Sequence, residues 1–300
     1  MDQAEQLRNI IKANNAMNQP TGNVPKRPLA RVITVTSGKG GVGKSNTAIN
    51  LAIQFRKMGQ KVIILDADFG LANIEIMFGA VPKHNLCDLI YQGKNIKDII
   101  TWGAGEVGFI SGGSGIVGMS NLSKDYLTYI IQNLAQLDAI ADVIIIDTGA
   151  GISDAVLEFL VASGEIILVT TPEPTSITDS YSLLKALNHH PRFSKETSQI
   201  KVLANRVNKI SEGQVLFNKL EVVVNRYLKL PIAYLGAVPW DKQLTDAVMQ
   251  QKPVSLSYPN AKSAQAYEEI AAKLMGEEKP EKKRGMAAFF SHIISGKKLN

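Results

Sequence analysis

The chain has 300 residues, of which 45% are hydrophobic and 20% are charged, and this is the profile of an ordinary globular protein. Its single cysteine, Cys87, excludes intrachain disulfides and any zinc or iron–sulfur site that needs several thiolates from one chain. The first residues lack the basic start and apolar run of a signal peptide, and no apolar run approaches the roughly 18 residues of a spanning helix, so we expect a soluble, cytoplasmic protein.

The net charge of +6 lies mostly at the two ends of the chain. Residues 1–30 carry four basic and two acidic side chains, and residues 277–300 carry six basic and three acidic ones, so the two ends together account for +5. The body between them is close to neutral, and we expect no nucleic-acid partner for it.

Residues 1–12 contain a short amphipathic helix that is predicted to begin at Gln3, and residues 13–30 form a linker with three prolines and four asparagines. The apolar stripe of this helix comprises Ala4, Leu7 and Ile11, with Arg8 beside it. A helix of this length is not stable alone. It is therefore either a frayed terminus or a peptide that folds on a partner.

A glycine-rich segment follows the first predicted strand at residues 32–36 and precedes a helical run at residues 46–58. It reads SGKGGVGKS and satisfies the GxxxxGK[ST] pattern. In this pattern backbone N–H groups surround a phosphate, the lysine reaches the terminal phosphates and the hydroxyl ligates Mg²⁺. We therefore predict an ATP/ADP and Mg²⁺ site built from Gly38, Gly40, Gly41, Val42, Gly43, Lys44, Ser45 and Asn46.

Short β-branched runs alternate with helical-length segments through the rest of the body, residues 31–275. The runs are 62–65, 107–110, 143–146, 166–169 and 202–204, and two last helices are predicted at 243–250 and 261–274. Runs that are apolar at successive positions suit strands buried on both faces. The predicted fold class is α/β, with a doubly wound, mainly parallel sheet flanked by helices as in P-loop NTPases.

Acidic side chains follow two of these strands. Asp66 and Asp68 come at the end of the run at 62–65, and two carboxylates at i and i+2 on an extended segment emerge on the same side of it. Asp147 directly follows the run at 143–146 and precedes Thr-Gly-Ala-Gly. By itself this last position is weak evidence of a site.

The chain ends in a charged tether at residues 276–285 and an amphipathic helix at residues 286–298. Basic clusters flank this helix, and its apolar face spans an arc of roughly 160°. The pattern is typical of a helix that lies on an anionic membrane, and the alternative is a helix docked in a groove of the core or on a partner. The predicted membrane-contacting side chains are Phe289, Phe290, Ile293 and Ile294.

The phosphate loop resembles the deviant Walker A motif of MinD/ParA ATPases, because a second lysine, Lys39, precedes Gly-Gly. The resemblance implies that Lys39 reaches across an ATP-dependent homodimer to the partner's nucleotide. It also implies that Asp68 orients the attacking water and that Asp66 and Asp147 hold Mg²⁺ together with Ser45. Adenine would be held by Asn205 and by the loop of Pro239 and Asp241.

The N-terminal sequence DQAEQLR, the linker, the ATPase body and the C-terminal helix together resemble the FlhG family, also called YlxH or FleN. The resemblance implies regulation of flagellar number and placement and reversible association with the inner face of the cell membrane. It also implies stimulation of FlhF, a GTPase of the signal-recognition-particle type, and contact with C-ring proteins of the FliM/FliN(Y) type. The residues implied to meet the GTPase are Asp2, Gln3, Ala4, Leu7 and Arg8.

Two other functions within the same superfamily stay open at this point. A MinD-like regulator of the division site is disfavoured by the thirty-residue N-terminal extension, and a ParA-like DNA-segregation ATPase by the lipid-type C-terminal helix. Iron–sulfur carriers need at least two cysteines, which the chain lacks. A GTPase usually carries NKxD, whereas Asn205 is followed by Arg-Val-Asn, so the sequence favours an ATPase.

Overall fold

The computed structural model describes residues 29–68, 73–112, 132–277 and 285–295. In chain order its strands are β1 (Arg31–Thr36), β2 (Val62–Ala67), β3 (Thr101–Trp102), β4 (Gly108–Ile110), β5 (Val143–Thr148), β6 (Glu165–Thr170), β7 (Gln199–Val207) and β8 (Ala233–Pro239). The helices are α1 (Lys44–Lys57), α2 (Asn73–Phe78), α3 (Leu86–Gln92), α4 (Leu137–Ile140), α5 (Asp154–Ala162), α6 (Pro174–His189), α7 (Ile210–Leu228), α8 (Lys242–Met249), α9 (Val254–Ser257), α10 (Lys262–Gly276) and α11 (Met286–Ser295).

The strands form one sheet in the order β3-β4-β2-β5-β1-β6-β7-β8. Neighbouring strands are parallel except β3, which runs antiparallel to β4 at one edge. The predicted mainly parallel, doubly wound α/β fold is confirmed. The predictions missed β3, which has only two residues, and β8, an edge strand whose apolar positions are interrupted by Gly236.

Both faces of the sheet are covered, because successive strand residues point to opposite sides and both sides are apolar. Ile33 and Val35 of β1 pack in one cluster with α1 and α10, whereas Val32 packs in another with α5 and α11. The helices α5, α6 and α7 cover the remaining part of the second face. Strands β2, β5 and β7 carry Asp66, Asp147 and Asn205 near their carboxyl ends. These predicted site residues therefore lie along the carboxyl edge of the sheet.

A buried charge cluster lies at the opposite, amino edge of the sheet. Arg31 donates two hydrogen bonds of 2.8 and 2.7 Å to the carboxylate of Glu165, and Lys201 Nζ lies 2.7 Å from Glu165 Oε1 and 2.5 Å from Glu277 Oε2. Burial raises the pKa of Glu165, but Arg31 and Lys201 outweigh it and hold that pKa below its ordinary value. The cluster ties the starts of β1, β6 and β7 to the end of α10.

The C-terminal helix α11 packs on the body in this structure. Met286, Phe289, Phe290 and Ile293 are buried, and the Phe289 ring lies 5.9 Å from that of Phe159 in α5. Among the described helices, none is both long and apolar enough to cross a bilayer. The predicted partner-binding residues at 2–8, most of the linker and the side chain of Ile294 lie outside the described residues.

Candidate nucleotide site

Glycines shape the loop that joins β1 to α1. Gly43 has φ +93°, and a Cβ there would lie 2.2 Å from Asn205 Nδ2, while a Cβ at Gly38 would lie 2.3 Å from the backbone of Asp179 in α6. A side chain at either position would force the loop apart. At the start of α1 no described side chain caps the helix, so its first backbone N–H groups are available to an anion such as phosphate.

Lys44 and Asp147 form a buried ion pair beneath this loop. Lys44 Nζ lies 2.7 Å from Asp147 Oδ1, and the two side chains are 8% and 0% exposed. Burial raises the pKa of Asp147, and Lys44 offsets only part of that effect. The second oxygen, Asp147 Oδ2, is buried and has no hydrogen-bond partner among the described residues, which is the condition that a bound cation would relieve.

Asp66 lies directly opposite Asp147 in the register of β2 and β5. The pKa of Asp66 is raised to about 7. Burial is the larger cause and repulsion from Asp147 is the second, because two close carboxylates in a desolvated site do not both ionise readily. Mg²⁺ typically binds one or two carboxylates together with substrate phosphates. The donor set of Ser45, Asp66 and Asp147 therefore fits this ion.

A cavity of about 330 Å³ opens in front of the phosphate loop. Asp68 lines it, with Asn73 Nδ2 3.5 Å from its Oδ2. The segment after β5 reaches the same place, because the Gly151 N–H donates to Ser37 O at 3.0 Å and a Cβ at Gly149 would lie 3.7 Å from Asp68. The segments that follow β1, β2 and β5 thus meet at one point. The other described lining residues are Gly40, Gly41, Gly43, Lys44, Ser45, Asn46, Met77, Ala150 and Arg206.

Lys39 is held within the same chain. Its Nζ lies 2.8 Å from Glu173 Oε2 and 3.0 Å from Thr175 Oγ1, at the start of α6. The hydrogen bond from Lys39 lowers the pKa of the exposed Glu173 carboxyl. The implied reach of Lys39 to a partner's nucleotide stays a prediction, and it requires this contact to open.

A second cavity, of about 470 Å³, adjoins the loop on the side where adenine binding is predicted. Asn205, Pro239 and Asp241 all line it. The amide of Asn205 donates to Val42 O at 2.7 Å, while Asp241 caps α8 through Gln243 and accepts two hydrogen bonds from Ser263. The Asp241 carboxylate therefore has a structural role as well, because it joins the start of α8 to the start of α10.

Sequence reasoning missed three residues at these cavities: Arg206, Glu173 and Trp240. Arg206 lines both cavities and has a left-handed backbone with φ +57°, which is unusual for a non-glycine residue. In the sequence Arg206 argues against NKxD and also belongs to a scatter of basic residues that could face DNA, and neither pattern predicts a place at the nucleotide site. Glu173 was not predicted because its partner Lys39 is distant in sequence, and the exposed Trp240 stood only as a neighbour of Pro239.

The comparisons decide the family. The model of the ParA family, described as NUBPL iron-transfer P-loop NTPase, matches residues 28–275. The antiactivator FleN of Pseudomonas aeruginosa is 38% identical over 87% of this chain and 91% of its own. The flagellum site-determining protein YlxH of Helicobacter pylori is 32% identical over 98% of both chains. The chain belongs to the ParA family of P-loop NTPases. Its homologues are ATPases, and so is this protein.

Solved structures support the same fold for this ParA-family ATPase. The MinC:MinD complex of Aquifex aeolicus matches 85% of this chain and 100% of that chain with a TM-score of 0.64 at 23% identity. MinD of Pyrococcus horikoshii, solved with Mg-ADP, matches 83% and 97% with a TM-score of 0.62 at 23% identity. The family description names iron transfer. The single cysteine of this sequence cannot by itself supply the several thiolates that an iron–sulfur cluster needs from one chain.

Replacing Lys44 with alanine is expected to weaken nucleotide binding at least ~100-fold, because the substitution removes a phosphate-binding charge and strands the buried Asp147. Titration with a fluorescent ATP analogue measures the change. Lys61→Ala, an exposed lysine outside the site, is the matched control and should bind as the wild type does. Unchanged affinity in a folded Lys44→Ala protein would contradict the assignment of the site.

Proposed function

We propose that this ATPase is a nucleotide-dependent dimerisation and membrane-association switch that regulates flagellar number and placement. The observation that carries the switch is the docking of α11 on α5, the helix that begins at Asp154, three residues after the segment 149–151. The flagellar assignment is supported by similarity to YlxH over 98% of the chain. The chain would act at the inner face of the cell membrane.

The nucleotide site would work as follows. Ser45, Asp66 and Asp147 would hold Mg²⁺, which when bound neutralises charge on the terminal phosphates of ATP. Lys44 would contact those phosphates and Asp68 would orient the attacking water. Lys39 would leave Glu173 and reach the nucleotide of a second copy of the chain, so ATP would favour a homodimer.

A short path connects this site to the terminal helix. Ser153 caps α5 through the Val156 N–H, and a Cβ at Gly149 would lie 3.6 Å from Val156 Cγ2. Within one turn beyond Val156, Phe159 packs against Phe289 of α11, and Glu158 pairs with Arg192, which donates to the His292 carbonyl of α11. Movement of the segment 149–151 around a γ-phosphate would therefore shift the surface that holds α11.

One released copy of the helix would bind lipid only marginally. Burying two Phe and two Ile side chains contributes at most ~6–12 kcal/mol, while ordering about ten residues costs ~10 kcal/mol or more. Two copies on one dimer share a single encounter, and avidity adds ~10²–10⁴ in affinity. Nucleotide state would in this way set residence on the membrane.

Deleting residues 285–300 is expected to abolish co-sedimentation with anionic vesicles in the presence of ATP, because the deletion removes the apolar face and its basic flank. The matched control is Ser291→Ala, a substitution on the exposed face of α11, which should sediment as the wild type does. Nucleotide binding of the deleted protein is measured in parallel to verify its fold. Undiminished sedimentation after the deletion would exclude α11 as the membrane anchor.

The N-terminal helix is proposed to stimulate the GTPase FlhF, and the body to contact FliM/FliN(Y)-type C-ring proteins. A peptide of residues 1–20 is expected to raise the GTP turnover of FlhF, and Gln3→Ala is expected to remove that stimulation because Gln3 would complete the partner's active site. Gln6→Ala, the same substitution at a position that is not among the residues predicted to meet the GTPase, is the control. Stimulation that persists without Gln3 would argue against this role, and no stimulation at all would favour a division-site regulator.

A further inference from the structure

The site that holds α11 is an apolar groove of the body. The buried face of α11 belongs to one cluster with Leu137 of α4, Phe159 and Ala162 of α5, and Ile144 of β5. Met286, Phe289 and Phe290 are at most 2% exposed in this groove. Departure of α11 would open a contiguous apolar surface of a kind that soluble proteins rarely leave uncovered.

Charged groups of the body hold both ends of the docked helix. Asp138 accepts from the Met286 N–H at 3.0 and 3.1 Å, and Arg192 Nη1 donates to the carbonyl of His292 at 2.5 Å. The other terminal nitrogen of Arg192 pairs with Glu158 of α5. A carboxylate at the amino end and a guanidinium at the carboxyl end match the helix dipole, so the groove is built to receive a helix in this direction.

The N-terminal part of the chain enters the body at the same place. Asp138 also accepts a hydrogen bond from the backbone of Ala30, which is fully buried in the same apolar cluster. A Cβ at Gly285 would lie 3.3 Å from Leu29 Cδ2. The 28 residues that precede Leu29 therefore join the body beside the amino end of the groove.

Those residues contain a segment with the spacing of the docked helix. Leu7, Ile10 and Ile11 repeat the i, i+3, i+4 positions of Met286, Phe289 and Phe290. An extended linker of residues 13–28 spans on the order of 50 Å, which is ample to bring this segment into the groove.

We propose that the groove serves both terminal helices in turn, and that residues 3–12 dock in it when α11 has left for the membrane. This inference rests on the proposed function, because it requires α11 to leave. While α11 is docked, the N-terminal helix is free to meet its partner, and once α11 is on lipid the same helix is withdrawn. The two terminal activities therefore exclude each other within one chain.

The order of preference for the groove follows from size and tether length. The two phenyl rings of α11 fill more of the groove than the two Ile side chains that would replace them. The tether at 276–285 is also shorter than the linker at 13–30, which raises the effective concentration of α11 at the groove. In the structure α11 occupies the groove.

Hydrogen–deuterium exchange on the full chain tests the proposal, with and without ATP and anionic vesicles. In the vesicle-bound protein we expect exchange in residues 3–12 to slow about tenfold relative to the linker, and α5 to keep its protection. The double variant Leu7→Asp, Ile10→Asp should lose the protection of residues 3–12 and expose α5 in the vesicle-bound state only. Gln6→Asp with Asn9→Asp, which places the same charges at polar positions outside the apolar stripe, is the matched control.

Vesicle co-sedimentation is measured on the same samples, so that the two hypotheses fail separately. A chain that does not bind vesicles overturns the proposed membrane switch and this inference with it. Binding with rapid exchange in residues 3–12 overturns the inference alone. A third outcome combines two observations: residues 3–12 are protected in the wild type, and α5 stays equally protected in the Leu7→Asp, Ile10→Asp variant. In that case the N-terminal helix binds lipid or another surface, and the inference is again overturned.

Discussion

Asp68→Ala is expected to slow ATP hydrolysis by about 10²–10⁴-fold while leaving nucleotide binding intact. Asp68 lines the cavity in front of the phosphate loop and is not a member of the Lys44–Asp147 ion pair, so its removal takes away the group that would orient water and leaves both partners of that pair in place. Phosphate release measures turnover, and titration with an ATP analogue measures binding.

The same variant should accumulate as an ATP-bound homodimer, because hydrolysis is the proposed step that reopens the dimer. Size-exclusion chromatography with ATP and Mg²⁺ reports the oligomeric state. Glu268→Ala, an exposed acid on α10, is the control and should turn over ATP as the wild type does. An Asp68→Ala protein that binds ATP and remains monomeric would count against the proposed cycle.

Glu165→Gln is expected to lower the free energy of unfolding by about 3–5 kcal/mol. The substitution leaves Arg31 and Lys201 buried around a neutral amide, with side chains only 2% and 7% exposed. Chemical denaturation followed by circular dichroism measures the change. The matched control is Glu106→Gln, which breaks an ion pair with Arg56 in which the glutamate is 82% exposed, and no measurable loss is expected there.

The contribution of Glu165 should also depend on pH with a defined sign. Its pKa in the folded protein lies below the ordinary value of 4.5, so the stabilisation is complete above that value and is lost as the pH falls through the folded pKa. The difference in unfolding free energy between the wild type and Glu165→Gln should therefore shrink below about pH 4.5. A difference that stays constant down to the acid transition would contradict the charged pair as the cause.

Local patterns were sufficient to predict most of the elements that build the site. The phosphate loop follows from residue spacing, whereas the roles of Asp66 and Asp147 are implied by the resemblance to MinD/ParA ATPases, because a position at the end of an apolar run is weak evidence by itself. The sheet could be predicted because its central strands carry apolar residues at successive positions, which is typical of strands buried on both faces. β8 was missed because an edge strand interrupted by Gly236 lacks that pattern.

Contacts between distant segments could not be predicted in the same way. The pair of Lys39 with Glu173 and the pair of Arg31 with Glu165 each join residues about 134 positions apart, and no periodicity records such a contact. The docking of α11 posed a different difficulty, because an apolar helical face suits a lipid surface and a protein groove equally well. In the structure α11 lies in the groove. The basic residues that flank α11 in the sequence are the feature that favours a lipid surface.

The hydrogen bond from Asn205 to the Val42 carbonyl limits how the base preference of this enzyme could change. The side chain that is proposed to bind the base also donates to the phosphate loop, with its Nδ2 2.7 Å from that carbonyl and next to Gly43. A substitution there that favours guanine would at the same time loosen the grip on the phosphates. Exchange of ATP for GTP would therefore need a second, compensating change that supplies a new donor to Val42, so a single mutational step would not achieve it.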